Sequence, residues 1–251
     1  MLVELESRGD RRGSQPAIGV GCCRAQAAHE PAMSGMFTKS GTAGGGRRRE
    51  SGPLQRRPGD CYFSADIETD GPIPGPYSML SFALVPAGAF DGQRFRRPES
   101  YEDAFYVQLR PISDAFEPQA LAVNGLDRDE LLRTGVDPRQ AMQDASRWIA
   151  ERSKGSAPVL VAYPLSFDWS WLYWYFVRFT GNSPFKHSRC FDIKTAVAVK
   201  CALPIADAGL KQLPQHLKPR HAHTHHAVDD AIAQAEIFAN VFEYDGGVED
   251  D

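Results

Sequence analysis

Apolar residues cluster along this chain in short runs separated by turn-forming segments, and the runs alternate in kind. Residues 61–68 (CYFSADIE) read as a β-strand, joined by the turn-rich DGPIPGP to a second strand, YSMLSFALVPAG. A third strand, AFYVQLRP, follows a polar loop around Asp91–Glu102. Residues 137–153 have helical spacing, with apolar positions at Ala141, Met142, Ala145, Trp148 and Ile149. Asp137 stands where an N-cap belongs and Pro138 at the first helical position. APVLVAYP predicts a fourth strand, residues 166–179 a helix, RCFDI a short fifth strand, and residues 227–242 a last helix. Asp192 reads as the cap of the helix that follows RCFDI. Three strands, then helix–strand–helix–strand–helix, imply an α/β domain with a five-stranded mixed sheet and helices on both faces.

Composition narrows the picture in two ways. No apolar run approaches the ~20 residues that span a bilayer, so no membrane association is expected. Five cysteines without paired spacing point to reduced thiols and a cytoplasmic setting. Charge is unevenly placed. Residues 1–58 hold ten Lys/Arg against five Asp/Glu, a net of +5, and residues 59–251 hold 18 against 27, a net of −9. Three parts follow: a disordered basic tail (1–58), a folded domain (59–245) and an acidic C-terminal tail (246–251). Met33 and Met36 are alternative starts within the first part. A domain so acidic is poorly suited to coating long duplexes, which demands many cations. Such a charge balance leaves only contacts with a few units of a polyanion open.

The candidate chemistry lies in three segments. Asp66 and Glu68 are two apart near the end of a strand, so the pleat sets both carboxylates on one face, where hard oxygen ligands suit Mg²⁺ or Mn²⁺. Alone, the pair also reads as two solvated acids. Asp168 falls in the first turn of a helix, where a carboxylate complements the dipole whether or not it does anything else. Asp230 lies on the last helix roughly 140° from the centre of the apolar stripe of Val228, Ala231, Ile232, Ala235, Phe238, Ala239 and Phe242. Five histidines crowd residues 216–226. Such a tract also suits zinc or nickel, although no cysteine accompanies it. Asn124-Gly125 by itself reads as a helix end.

Taken together, Asp66-Ile67-Glu68-Thr69-Asp70-Gly71, Phe167-Asp168 and His225 with Asp230 five positions on resemble the three motifs of the DEDDh exonucleases, across residues 60–243. Only His225 has this spacing to Asp230 with Ala227 two residues later. The resemblance implies an RNase H-like fold and a 3′→5′ exonuclease releasing nucleoside 5′-monophosphates from single-stranded RNA or DNA ends. It further implies two ions, Mg²⁺ or Mn²⁺: one held by Asp66, Glu68 and Asp230, the other by Asp66 and the scissile phosphate, with Asp168 acting through water. His225 would be the general base, and Thr69 and Asn124 would lie against the terminal nucleotide. One departure stands out. Where relatives commonly carry His-Asn before the Phe-Asp pair, this chain has Tyr163-Pro164. The competing reading is a non-catalytic nucleic-acid-binding protein, or a polymerase-associated proofreading subunit, of the same fold.

The helix over 166–179 is apolar around much of its circumference. Trp171, Leu172, Tyr175 and Phe179 form one stripe, and Trp169, Tyr173 and Phe176 a second about 120° away. The second stripe predicts a homodimer interface, with stacking of single-stranded bases as the alternative.

Overall fold

The computed structural model describes residues 59–245. The tails expected at 1–58 and 246–251, with Cys22, Cys23, Met33 and Met36, lie outside the described residues. The sheet is built on β1 (Asp60–Thr69), which pairs antiparallel with β2 (Met79–Phe90) on one side and parallel with β5 (Ala157–Ala162) on the other. Beyond β5 lies β6 (Cys190–Asp192), again parallel. β3 (Phe95–Arg96) and β4 (Phe105–Gln108) both pair antiparallel with β2, so the sheet has six strands. The strand missing from the five-strand expectation is β3. Two residues inside a polar loop carry no period, so nothing in the local sequence marks them.

Alternation along the strands divides the interior into two cores. Phe63, Ala65, Ile67, Phe82, Leu84, Leu160 and Ala162 face α3 (Pro138–Ser153) and α4 (Leu165–Thr180). Tyr62, Ala83, Val85, Ala87, Val159 and Val161 face α5 (Ile193–Lys200) and α6 (Ala227–Glu243). Asp66 and Glu68 share the parity of Tyr62, which aims them toward the α6 face. Helices α1 (Pro118–Asn124) and α2 (Arg128–Thr134) stand between β4 and α3. The caps read from the sequence are present. Asp137 accepts from the amides of Arg139 and Gln140, Asp192 accepts from Lys194, and Gly125 closes α1 in the left-handed region at φ 67°.

Three details position the site. β2 carries an extra residue against the end of β1, where the register shifts between Glu68 and Thr69. Such a bulge turns the strand end away from its ladder. Gly71 then lets the chain pass over Tyr77, whose ring a Cβ would meet at 2.2 Å. Finally, fully buried Asp70 pairs with Arg128 at 3.1 Å and accepts from Ser78, while Arg128 also donates to the Ser113 carbonyl. This pair ties the loop after β1 to α2.

Helix α4 differs from expectation at one position. Phe176 is fully buried and packs edge-on to Phe185, because it lies one turn from Leu172 on the core face. Trp169 and Tyr173 stack on each other, ring centroids 5.2 Å apart, and both are half-buried. The second stripe is therefore two aromatics wide rather than three. No described helix is long and apolar enough to cross a membrane.

Candidate active site

β1, β5 and β6 run parallel, and the candidate residues gather beyond their carboxyl ends, where α/β sheets commonly bind ligands. Asp66, Glu68 and Asp230 offer carboxylate oxygens that all lie within 4.8 Å of one another. Asp66 and Glu68 are half-buried; Asp230 and Asp168 are buried. Asp168 enters from the first turn of α4 and stands outside the tight triad, though near enough to repel Asp66.

This crowding shows in the acidities. Burial holds the Asp66 carboxyl well above the usual range, and repulsion from Asp168, Glu68 and Asp230 adds to it. Glu68 is pushed up to about 7 by burial and then by Asp230. Asp168 also rises to about 7 through burial, softened by backbone hydrogen bonds at Asp168 and Ile67 and raised again by Glu68. An all-oxygen set at such high charge density fits hard divalent cations.

The loop before α6 is built around acids of the helix itself. Asp230 accepts from the Thr224 amide at 2.8 Å and from the His225 amide at 3.1 Å, while Asp229 accepts from the Thr224 hydroxyl at 2.7 Å. Asp230 is thus buried beneath the loop rather than open on the helix surface. Nearly two turns on, Glu236 accepts from the amides of Arg220 and His221 and meets His221 Nδ1 at 2.9 Å. Burial works against its charge, yet these bonds hold its carboxyl below the ordinary range. The histidines are sorted by these contacts. His221 goes to Glu236, His226 lies against Tyr106, and His216 lies against Tyr244. His223 and His225 remain beside Asp230, the latter in the left-handed region at φ 60°.

Thr69 and Asn124 are brought together, through bonds to the backbone. Asn124 Nδ2 donates to the Thr69 carbonyl at 3.0 Å, its Oδ1 accepts from Leu126, and the Thr69 hydroxyl donates to the Gly71 carbonyl. At the departure from the family pattern, the Tyr163-Pro164 bond is cis and the Tyr163 hydroxyl donates to the Ala208 carbonyl at 2.7 Å.

Sequence reasoning missed Gln234. Its Nε2 donates to Asp66 Oδ1 at 2.9 Å and its Oε1 accepts from the Tyr163 amide at 2.7 Å. The signal was available. Gln234 follows Asp230 by four residues and so shares its helix face.

Residues 127–242 match the Rv2179c-like family, described as a 3′-5′ exoribonuclease domain. The 3′-5′ DNA exonuclease Cap18 of Escherichia coli is 34% identical over 180 residues, which is 71% of this chain and 90% of that protein. The chain belongs to the DEDDh family of 3′-5′ exonucleases. Its fold is RNase H-like. The nuclease domain of 3′hExo, a DEDDh family member solved with rAMP, superposes with a TM-score of 0.56 at 13% identity, covering 75% of this chain and 94% of that one. E. coli exonuclease I, solved with a dT13 oligonucleotide, gives 0.54 at 16% identity over 73% of this chain and 41% of its own. This DEDDh exonuclease is thus a hydrolase with its acids gathered at one end of the sheet.

Two outcomes follow from the site. Asp66, Glu68 and Asp168 all have folded-state pKa values above their unfolded ones, so the metal-free folded state binds the extra protons. For Glu68 and Asp168 the contribution to stability is present below about pH 4 and is lost as pH rises through about 7, and Asp66 acts in the same direction. Thermal melts in chelator at pH 5 and pH 8 should show this loss, and Mg²⁺ should raise the melting temperature much more at pH 8 than at pH 5. Gln234→Leu removes both of its hydrogen bonds and leaves the Tyr163 amide without that partner, so a stability loss of about 1–3 kcal/mol is expected in denaturant titrations. With Asp66 freed, kcat should fall by about 10–100-fold while KM changes little.

Proposed function

We propose that this exonuclease removes nucleotides from the 3′ ends of single-stranded RNA or DNA with two Mg²⁺ or Mn²⁺ ions, releasing nucleoside 5′-monophosphates. The observation that carries the reading is the convergence of Asp66, Glu68 and Asp230 within 4.8 Å, with Asp168 beside Asp66. Asp66, Glu68 and Asp230 would hold one ion. Asp66 would share the second with the scissile phosphate, and Asp168 would approach through water. Such ions, when bound, stabilise charge on the attacking and leaving oxygens of an in-line displacement.

His225 accepts the proton of the attacking water. Its backbone N–H donates to Asp230, which fixes the backbone from which the imidazole reaches the site. Water adds to phosphorus, the bond to the 3′-oxygen of the penultimate nucleotide breaks, that oxygen takes a proton from solvent to become a 3′-hydroxyl, and the terminal nucleotide leaves with its 5′-phosphate. Thr69 and Asn124, joined at the end of β1, border the terminal nucleotide. Relatives are named for both polymers, one as a DNA exonuclease and one as an exoribonuclease, and the site chemistry acts on the phosphate common to both. A cytoplasmic setting fits the free thiols of Cys61, Cys190 and Cys201.

The test is degradation of end-labelled single-stranded RNA and DNA. Shortening should proceed from the 3′ end, stop in chelator, and fall by at least ~10³-fold in Asp66→Ala, which lacks the carboxylate shared by both ions. Undiminished activity in either condition would refute the metal reading. The choice of base has a separate check. His225→Ala should cost ~10²–10⁴-fold, and His223→Ala and His226→Ala much less under the same metal. A larger loss at either neighbour would move the base to that residue.

A further inference from the structure

We infer that the loop before α6 carries a second cation site, made of His223, His225 and Asp230, which takes a borderline-soft divalent ion such as Zn²⁺ and thereby switches the exonuclease off. The three side chains offer donor atoms all within 4.8 Å of one another. Two imidazole nitrogens and one carboxylate oxygen are a three-ligand set that leaves a fourth position for water, and imidazole favours zinc over magnesium. The neighbouring triad of Asp66, Glu68 and Asp230 offers oxygen alone. Asp230 thus belongs to two sites of opposite preference, one hard and one borderline.

Several contacts set this pair of histidines apart from a tract that merely collects metal. His221, His226 and His216 are turned to Glu236, Tyr106 and Tyr244. The amides of Thr224 and His225 both donate to Asp230, so the backbone that carries the two histidines is pinned to the third ligand. His223 Nδ1 lies 2.7 Å from Asp230 Oδ1, and the His223 and His225 rings meet edge-on with centroids 4.6 Å apart. Tetrahedral zinc needs such donors roughly 3.3 Å apart, a displacement that a small turn of an imidazole supplies. Both histidines are exposed and Asp230 is buried, so an ion arriving from solvent meets the imidazoles first.

Occupancy of this site would block catalysis twice. The His225 lone pair would be committed to the ion and could not accept a proton, and Asp230 would be drawn from the carboxylate triad. This inhibitory half rests on the proposed role of His225; the binding half does not. His223 belongs to the second site alone, which makes it the residue to change.

The experiment uses the full chain stripped of metal and then supplied with excess Mg²⁺. Zinc binding is read by competition with a chromogenic chelator, and zinc inhibition by 3′-end trimming. His223→Ala should weaken zinc binding at least ~10-fold and raise the zinc needed for half-inhibition by a similar factor. Its rate in Mg²⁺ alone should fall far less than that of His225→Ala, so zinc inhibition is read relative to that rate, and His216→Ala should behave like the unaltered chain throughout. Equal zinc affinity in His223→Ala, or an equal loss in His216→Ala, would overturn the site. If the unaltered chain shows no trimming, the exonuclease reading fails, and the binding measurement still decides whether these three residues hold zinc.

Discussion

The site depends on one unfavourable interaction, the mutual repulsion of acids held together at the carboxyl ends of parallel strands. Two like charges ~5 Å apart repel by roughly 3 kcal/mol even at an effective dielectric of ~20, and here three carboxylates lie within 4.8 Å with a fourth beside them. Such an arrangement persists only if the surrounding structure holds it. β1 supplies two acids on one pleated face, α6 brings the third from the helix packed on that face, and α4 the fourth from its first turn. All three elements have their opposite sides in large apolar cores. Packing of those cores, not any attraction among the acids, sets their separation. Burial first and this repulsion second raise the pKa values of Asp66, Glu68 and Asp168, and a divalent cation would be the counter-charge that relieves both.

Much of this was legible in the sequence because it rests on local rules. The pleat places Asp66 and Glu68 together, the helical period places Asp230 off the apolar stripe, and Asp137, Asp192 and Gly125 are cap residues at cap positions. What was not legible depends on tertiary partners. Phe176 looked like part of a surface stripe because an angle on a helix wheel does not reveal how far the core wraps around α4. β3 exists only because β2 offers it a ladder. The bonding of Thr69 and Asn124 to backbone atoms could not be read from either residue alone, since the groups they satisfy belong to a bulged strand end and a helix turn.

The departure at Tyr163-Pro164 is compensated from another element. Relatives commonly offer a polar pair there; here the Tyr163 ring enters the core and its hydroxyl is held by Ala208. The backbone amide that remains is met by Gln234, which also reaches Asp66. A single side chain on α6 therefore joins the end of β5 to the central acid of β1, close to where the loop has given up its polar groups. Gln234 and the Tyr163-Pro164 loop are thus linked through one amide hydrogen bond, and a change in either reaches Asp66 through the other.

Asp230 joins the two halves of the site. Its oxygens hold the loop amides of Thr224 and His225, while the same carboxylate completes the acidic triad. A carboxylate has about four lone-pair positions, so it can serve the loop and a cation at once. The backbone of His225 is consequently held by the same carboxylate that completes the acidic triad, so a shift of Asp230 would move the histidine loop and the acids together. The net charge of −9 over residues 59–251 adds a constraint from outside the site. A polyanionic strand gains little by lying along such a surface, and on the proposed mechanism what favours its approach would be concentrated where cations are held among the acids. Recognition confined to that point reads a strand at its terminus, which is where an exonuclease must act.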